Sequence, residues 1–440
     1  MMFETGAREK TFLAVGDGVG SLRHELYEGS VHRTPIRQVV SFDREVSGPS
    51  GACLPHILLL ALFTLGAAAV LALWLGPGLV TARLNPTPTH PSGPLAEEAT
   101  SLHDTLRIVD LHSDALLWDT NLLEPRGRGH IDLPRLVKGR VAVQVFSVVT
   151  KVPRGVNLHA NAGDSDQITA LAMLQLWPLR TWRSPLQRAL HQADRLRRTA
   201  ARANGRLRMI ESRSDLSGFL AGHAPGDGTV AGLLSLEGAH ALEGTASNVD
   251  LLFEAGFRMI GLTHFFDNAA GGSAHGIEKG GLTDFGTRLL DRMDALGMLV
   301  DLAHASPALI DDVVARTTRP VVVSHTGVDG TCPSPRNLDD GRLEAITSTG
   351  GIIGIGLWPD AICGRTPADW ARAVRYAADR VGTRHVALGS DWDGAVPVIV
   401  DASGTDHLVD ALLNEGFTQE DVVRILGGNT LRVLRESLPR

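Results

Sequence analysis

The sequence predicts an α/β protein: a (β/α)8 TIM barrel preceded by a disordered tail and one N-terminal transmembrane helix. From about residue 99, eight short apolar runs rich in Val, Ile and Leu alternate with amphipathic stretches. This alternation is typical of parallel strands covered by helices on both faces, and eight such units favour a closed barrel over an open sheet. Before them lies a window from residue 46 to residue 82 that contains no Asp, Glu, Lys or Arg.

Composition narrows the classes of function. The 440 residues carry a formal net charge of −7 with no basic block, so nucleic acid is not an expected partner. The 17 histidines direct attention to metal binding, because His is the commonest metal ligand. Three cysteines without a CxxC motif exclude a structural zinc finger and a disulfide scaffold.

Residues 1–54 mix charges and glycines without an apolar period and are predicted to be a poorly ordered tail. Residues 55–79 are predicted to form the transmembrane helix, because positions 57–75 are almost wholly apolar and long enough to cross nearly all of a bilayer core. A buried core helix and a signal peptide are the alternatives. A core helix is rarely this free of charge, and a signal peptide normally starts within a few residues of Met1.

Arginines on the two sides of this helix predict its orientation. Arg33, Arg37 and Arg44 precede it, and only Arg83 follows closely. The positive-inside rule therefore places the tail in the cytoplasm and the large C-terminal domain outside, in a single-pass membrane protein. Residues 80–98 are predicted to be a stiff, Pro-rich linker, and residues 99–440 the barrel domain.

The eight predicted strands are residues 108–111, 141–149, 230–236, 259–263, 298–302, 320–324, 352–357 and 386–389. Helices are predicted between most of them, for example at 287–296 and 307–316. The second connection is the longest, about 150–229, and contains an Arg-rich helical stretch at 186–203. No Gly-rich phosphate motif follows the first strand, which leaves a dinucleotide-binding fold unsupported.

Metal-ligand residue types follow most of these strands, at the barrel end where chemistry normally takes place. They are His112, Asp114, Glu237, His240, His264, His304, His325 and Asp391, of which His240 taken alone is expected to be an ordinary structural histidine. One histidine at a strand end is usually structural, whereas this repetition predicts a metal site. Nitrogen and carboxylate ligands without a thiolate favour zinc, with Mn or Co as alternatives. Asp301 and Asp393 are expected to be structural.

The spacing of these residues suggests how ions are shared. His112 and Asp114 are two apart in extended chain, so both side chains point the same way and can reach one ion. Glu237 has two oxygens and suits a bridge between two ions. His304 and His325 come from adjacent strands and can complete the shell of a second ion.

At these residues the chain resembles the membrane (renal) dipeptidase family, binuclear zinc peptidases of the metal-dependent hydrolase superfamily. The resemblance runs from about residue 104 to residue 435, and the set of motifs in this order is highly specific. The motifs are DLHSD at 110–114, LEGAH at 236–240, LTH at 262–264, GLTDFG at 281–286, GMLVDLAH at 297–304, SHTG at 324–327, RN at 336–337, GSDWDG at 389–394 and GGNTLRVL at 427–434.

The resemblance implies a role for each matching residue. His112 and Asp114 would bind the first of two zinc ions, His304 and His325 the second, and Glu237 would bridge them. His264 and Arg336 would bind substrate, and Asp391 would transfer protons. Two departures concern substrate preference: the first motif is DLHSD where animal enzymes have a DGHND-like sequence, and the connection after the second strand differs.

The sequence therefore predicts a zinc-dependent dipeptidase that hydrolyses the peptide bond of dipeptides by a metal-bridging hydroxide. One alternative is a related barrel metallohydrolase acting on another amide or a lactam, although that superfamily usually shows His-x-His on the first strand. Another is a non-catalytic membrane receptor, which the presence of Glu237 and Asp391 disfavours. Dipeptides and the membrane are the expected partners, and a homodimer is left open.

The cysteines indicate whether the catalytic domain lies in an oxidising or a reducing compartment. Cys332 and Cys363 lie in loops after adjacent predicted strands, so their sulfurs can meet, with two free thiols as the alternative. The resemblance implies a disulfide, because animal members link the equivalent loops. Such a bond persists in an oxidising compartment, which agrees with an external catalytic domain. Cys53 is expected to stay unpaired on the cytoplasmic side.

Overall fold

The computed structural model describes residues 53–440, and the N-terminal tail predicted for residues 1–54 lies almost entirely outside this range. Residues 62–440 form one compact unit built on parallel strands. The strands are β1 (Ile108–Ser113), β2 (Val141–Val149), β3 (Leu207–Met209), β4 (Val230–Glu237), β5 (Phe257–Gly261), β6 (Leu299–Asp301), β7 (Val322–Thr326), β8 (Ile352–Ile355) and β9 (Val386–Leu388).

The sheet closes into an eight-stranded barrel, as predicted. Its strand order is β2-β1-β9-β8-β7-β6-β5-β4, and the pairing of β2 with β4 closes the ring. All eight predicted strands are present. The additional strand β3 pairs with the first three residues of β4, Val230–Gly232, and the sequence does not predict it. It has only three residues and includes the exposed Arg208, so it lacks the apolar run that marks the other strands.

The helices cover the outside of the barrel, and capping side chains determine where several of them begin. They are α1 (Cys53–Leu84), α2 (Glu97–His103), α3 (Leu133–Lys138), α4 (Ile168–Leu174), α5 (Pro185–Arg202), α6 (Arg213–Gly222), α7 (Asn248–Glu254), α8 (Asp284–Leu296), α9 (Pro307–Arg316), α10 (Asp340–Ser348), α11 (Pro359–Ile362), α12 (Pro367–Val381), α13 (Thr405–Asn414), α14 (Gln419–Val423) and α15 (Asn429–Ser437). At α9, for example, Ser306 Oγ accepts a hydrogen bond from the backbone N–H of Leu309, and Pro307 begins the helix.

One apolar cluster fills the barrel interior. It collects side chains from strands all around the ring, including Val109, Val143, Leu233 and Ile352. Leu434 of α15 packs against the same cluster, so the C-terminal helix covers one end of the barrel. Because the interior is packed with side chains, chemistry is confined to the loops at the other end.

Helix α1 is long and apolar, and it is the one helix among the described residues with the length and composition to cross a membrane. It continues to Leu84, five residues beyond the end predicted for the span. Its last turns belong to the barrel unit, since Val80 packs on a small apolar cluster beside the barrel and Thr81 is buried.

The Pro-rich residues after α1 lie on the barrel. Asn85 Oδ1 accepts a hydrogen bond from the backbone N–H of Ala395. His130 Nε2 lies 3.0 Å from the carbonyl oxygen of Pro86, and His90 Nε2 lies 3.0 Å from Asp401 Oδ1. Residues 85–90 are therefore held by contacts that their proline content did not reveal.

Candidate metal centre

The predicted ligand residues meet at the C-terminal end of the barrel. His112 and Asp114 come from the end of β1, and their Nε2 and Oδ1 atoms are 3.4 Å apart. His304 follows β6 and His325 lies in β7, and their Nε2 atoms are 3.1 Å apart. All four side chains are buried.

Glu237, the last residue of β4, lies between these two pairs. Its Oε2 is 3.8 Å from His112 Nε2, whereas its Oε1 is 3.1 Å from His304 Nε2 and 3.6 Å from His325 Nε2. One carboxylate thus presents one oxygen to each pair, which is the arrangement a bridging ligand requires.

Three groups of side chains are close enough to hold an ion, their ligand atoms lying within 4.8 Å of one another. The groups are His112 with Glu237 and His325; Glu237 with His264 and His304; and His112 with Asp114 and Asp391. Seven of the residues found at strand ends by sequence therefore form one connected cluster.

Several ligand atoms in this cluster are buried without a hydrogen-bond partner among the described residues: His112 Nε2, Asp114 Oδ1 and Glu237 Oε2. Leaving buried polar atoms unpaired costs free energy, so atoms that converge in this way suit a cation. Burial raises the pKa of Glu237 and of Asp114, in each case reinforced by a nearby carboxylate. Burial lowers the pKa of His304 and His325, which leaves neutral imidazoles, the form that binds metals.

Asp391 lies in the loop after β9, and its Oδ1 is 4.0 Å from His112 Nε2. Burial raises its pKa to about 8. The loop is unusual because Asp391, Asp393 and Ala395 all have left-handed backbone angles, with φ of 62°, 62° and 60°. A Cβ at Gly394 would lie 2.0 Å from Asp391 Oδ1, so glycine is required there.

Buried contacts hold this loop in its conformation. Asp393 accepts hydrogen bonds from the guanidinium of Arg126 and from the backbone N–H of His130. Its own carbonyl accepts one from Trp118 Nε1. Asp393 is therefore structural, as expected from the sequence.

Two further buried carboxylates brace the strand ends. Asp110 accepts hydrogen bonds from Gln144 of β2 and from the backbone N–H and Oγ of Ser390 beyond β9. Asp301 accepts from the backbone N–H groups of Ala303 and Ser324, which fixes β6 against β7 beneath His304 and His325. The structural role expected for Asp301 matches these contacts.

The predicted substrate residues line a small cavity of about 100 Å³ beside the cluster. His264 Nε2 lies 3.6 Å from Glu237 Oε1. Arg336 donates a hydrogen bond to the carbonyl of His325, and its guanidinium lies 5.6 Å from the centre of the Trp358 ring. Both residues are buried, so the positive charge of Arg336 faces the cavity with little solvent around it.

Cys332 and Cys363 form a disulfide, which decides between the two alternatives left by the sequence. The bond links the loop that carries Arg336 to the segment after α11. Asn337 reinforces the link, since its Nδ2 donates to the carbonyls of Cys332 and Ala361.

The cavity wall also contains residues that the sequence did not single out. His275 is fully buried, and its Nδ1 lies 2.9 Å from the carbonyl of Leu158 in the long connection after β2. Asn161 of that connection donates twice to the carbonyl of His275. These contacts hold the long connection beside the cluster of candidate ligand residues. No motif marks His275, because its role arises only when two distant loops meet.

Of the two histidines His240 and His264, which both follow barrel strands, one belongs to the ligand cluster. His264 joins the cluster, whereas His240 does not, and its Nε2 lies 2.9 Å from Thr150 Oγ1 instead. The buried Arg188 of α5 braces the same region through the carbonyls of Thr150 and Thr181 and the carboxylate of Asp166. The Arg-rich helix therefore fixes the residues that follow β2.

Comparisons with known proteins show similarity to dipeptidases. Residues 96–438 match the family model described as membrane dipeptidase, peptidase family M19. Dipeptidase aclJ of Aspergillus oryzae is 32% identical over 316 residues, which cover 70% of this chain and 69% of that protein.

Solved structures share the fold. A metallopeptidase from Rhodobacter sphaeroides, solved with a phosphinate mimic of the dipeptide L-Ala-D-Ala, is 25% identical with a TM-score of 0.63, over 76% of this chain and 100% of that one. The probable dipeptidase PvdM from Pseudomonas aeruginosa is 18% identical with a TM-score of 0.66, over 78% of this chain and 98% of that one.

Proposed function

The chain belongs to the membrane dipeptidase family, peptidase family M19, and is a metal-dependent dipeptidase; we propose that it uses two zinc ions. His112 and Asp114 would hold one ion, His304 and His325 the other, and Glu237 would bridge them. The observation that carries this proposal is the position of Glu237, with Oε1 3.1 Å from His304 Nε2 and Oε2 3.8 Å from His112 Nε2.

The donor set fits zinc. It combines imidazole nitrogens with carboxylate oxygens and no thiolate, and the unpaired buried atoms of His112, Asp114 and Glu237 point to a shared cation. Bound ions would activate water as a nucleophile and polarise the scissile carbonyl. Mn or Co would satisfy the same ligands.

The chain's own residues would position the substrate and move its protons. Asp391 lies beside His112 and Asp114, where it can take a proton from the attacking water and return it to the leaving amine. His264 lies beside Glu237 and can donate a hydrogen bond to the oxyanion that develops on the substrate carbonyl. The buried Arg336 can pair with the substrate's carboxylate.

The shape of the site favours small substrates. The cavity is about 100 Å³, and Leu158 and His275 form part of its wall, so its size favours a short peptide. The Rhodobacter sphaeroides structure carries a mimic of L-Ala-D-Ala, so we include a D-residue at the second position among the proposed substrates.

We also propose that α1 anchors the enzyme in a membrane. Residues such as Leu65, Val70 and Trp74 are exposed on this helix, as expected for a lipid-facing surface. With the tail in the cytoplasm, the barrel and its disulfide would face an oxidising compartment.

The test is a dipeptide panel assayed with the full chain in detergent. L-Ala-L-Ala, L-Ala-D-Ala and a lactam are compared before chelation, after chelation, and after zinc is restored. We expect dipeptide hydrolysis to stop on chelation and return with about two zinc ions per chain. Full activity with one ion per chain would refute the binuclear site, and preferential hydrolysis of the lactam would refute the proposed substrate class.

A further inference from the structure

A patch of exposed apolar side chains lies next to α1 on the barrel unit. Met173 at the end of α4 is 40% exposed, and Leu176 and Leu179 in the following turns are 68% and 75% exposed. Large aliphatic side chains exposed in a continuous stretch are unusual on a water-facing surface and often mark an interaction site.

The patch lies where α1 meets the barrel. Leu174 packs directly on Gly76, since a Cβ at Gly76 would lie 3.1 Å from Leu174 Cδ1. Gly76 follows the apolar run 57–75, and the exposed Trp74 precedes it by two residues. Tryptophan is enriched at the membrane–water boundary, so with α1 spanning a membrane this contact would place α4 at the depth of that boundary.

The patch is held rigidly against α1. Trp177, between Leu176 and Leu179, is buried in a small cluster with Trp118 and Ala172, and Val80 of α1 packs on the same cluster. Because Trp177 is held in the buried cluster, Leu176 and Leu179 on either side of it face the surface.

Three exposed arginines lie near the patch. Arg180 and Arg183 are exposed in the same segment, and the guanidinium of the exposed Arg128 lies against Gly78 of α1. Aliphatic side chains flanked by arginines match the acyl chains and phosphates of a phospholipid surface.

We propose that Met173, Leu176 and Leu179 form a second membrane contact, inserted at the boundary of the bilayer with Arg128, Arg180 and Arg183 against lipid phosphates. This inference rests on the proposed span of α1. It adds a surface of the catalytic domain that lies in the lipid.

The test uses the full chain reconstituted in liposomes with a Cys53→Ser background. A polarity-sensitive fluorophore is attached to Leu179→Cys, to Leu71→Cys in the proposed span, and to Val423→Cys, an exposed apolar position on α14. The disulfide keeps Cys332 and Cys363 unlabelled under non-reducing conditions.

We expect the labels at Leu71 and Leu179 to shift their emission to the blue and to be quenched by spin-labelled lipids, with the label at Val423 unchanged. Spin labels near the headgroup should quench Leu179 more strongly than deep ones. The Arg180→Gln, Arg183→Gln double variant should reduce the quenching gained by adding anionic lipid.

Quenching at Leu71 with none at Leu179 would overturn the second contact and leave the span intact. Absence of quenching at both positions would overturn the span and the contact together. A blue shift at Leu179 that lipid spin labels do not quench, and that disappears as the chain is diluted with lipid, would assign the patch to a second copy of the chain and overturn the lipid contact.

Discussion

Asn85 Oδ1 accepts a hydrogen bond of 2.8 Å from the backbone N–H of Ala395, four residues beyond Asp391. Asn85 is fully buried and directly follows α1, and Ala395 has a left-handed φ of 60°. This bond ties the end of the proposed membrane helix to the loop that carries the proposed proton-transfer residue.

Replacing Asn85 with Ala should therefore lower kcat more than it changes KM, because the loop that carries Asp391 loses a restraint. A decrease of about tenfold would correspond to the free energy of one buried hydrogen bond. Thr87→Ala is the control, since Thr87 Oγ1 donates a longer hydrogen bond of 3.3 Å to the carbonyl of Gly129, which lies outside the loop that carries Asp391. Equal kcat values for the two variants would show that the Asn85 contact does not act on the site.

Glu237→Gln should abolish binding of at least one ion while the barrel stays folded. The amide keeps the size of the side chain but removes the charge that both ions would share. We expect activity to fall by more than roughly 100-fold, because even indirect partners of metal ligands reach that effect. Metal per chain, thermal unfolding and kcat are measured together, with the exposed Glu254→Gln as control. Normal metal content with full activity contradicts the bridge.

Asp391→Asn should have a different signature, with both ions retained and turnover lost. Removing a general acid–base group typically lowers the rate about 10²- to 10⁴-fold. Measuring the metal content per chain distinguishes proton transfer by Asp391 from metal binding by Asp391. Both roles fit its position beside His112 and Asp114. If the variant loses an ion, Asp391 is a ligand and the proton-transfer assignment is wrong.

Arg336→Lys should weaken recognition of the substrate's carboxylate. Lysine keeps the charge but cannot form the two parallel hydrogen bonds of a guanidinium. We expect KM for a dipeptide to rise about tenfold while KM for its C-terminal amide changes little. The ratio of kcat/KM between acid and amide is the decisive measurement, because general loosening of the loop would affect both substrates alike.

The disulfide should stabilise the fold and restrain the loop that carries Arg336. Its two cysteines are 31 residues apart, and closing a loop of that size in the unfolded chain stabilises the fold by about 3–4 kcal/mol. The Cys332→Ser, Cys363→Ser double variant should lower the free energy of unfolding by this order. Thiol counting on unreduced, denatured wild-type protein should find one free thiol, and three would contradict the bond.

The sequence predicted the barrel well because its strands are apolar on both faces. β2 was placed at its observed bounds, Val141–Val149, and α9 at Pro307–Arg316. The short strand β3 was missed because nothing in three residues distinguishes it from a loop. Its pairing with β4 is a consequence of the tertiary fold.

The predicted ligand residues converged for a related reason. In a parallel barrel, the C-terminal ends of all strands lie at one end of the barrel, so residues there, such as His112, Glu237 and His304, are brought close together. The contacts of His275 and Asn85 could not be predicted in this way. They join loops far apart in the chain, and the proline-rich composition around Asn85 suggested a spacer.

The residues after the apolar run are docked on the barrel at several points, and this limits how freely the enzyme can move relative to α1. Gly76 packs on Leu174, Val80 on the cluster around Trp118, and Asn85 on Ala395, while Ala96 donates a hydrogen bond to Asp410. An enzyme joined to its membrane anchor by a flexible linker would sample many positions above the membrane, and the distance that it reaches would grow with the length of the linker. Here the residues that follow the apolar run are docked on the enzyme itself, so once the chain is anchored through α1, the active site would keep a constant height and tilt above the membrane.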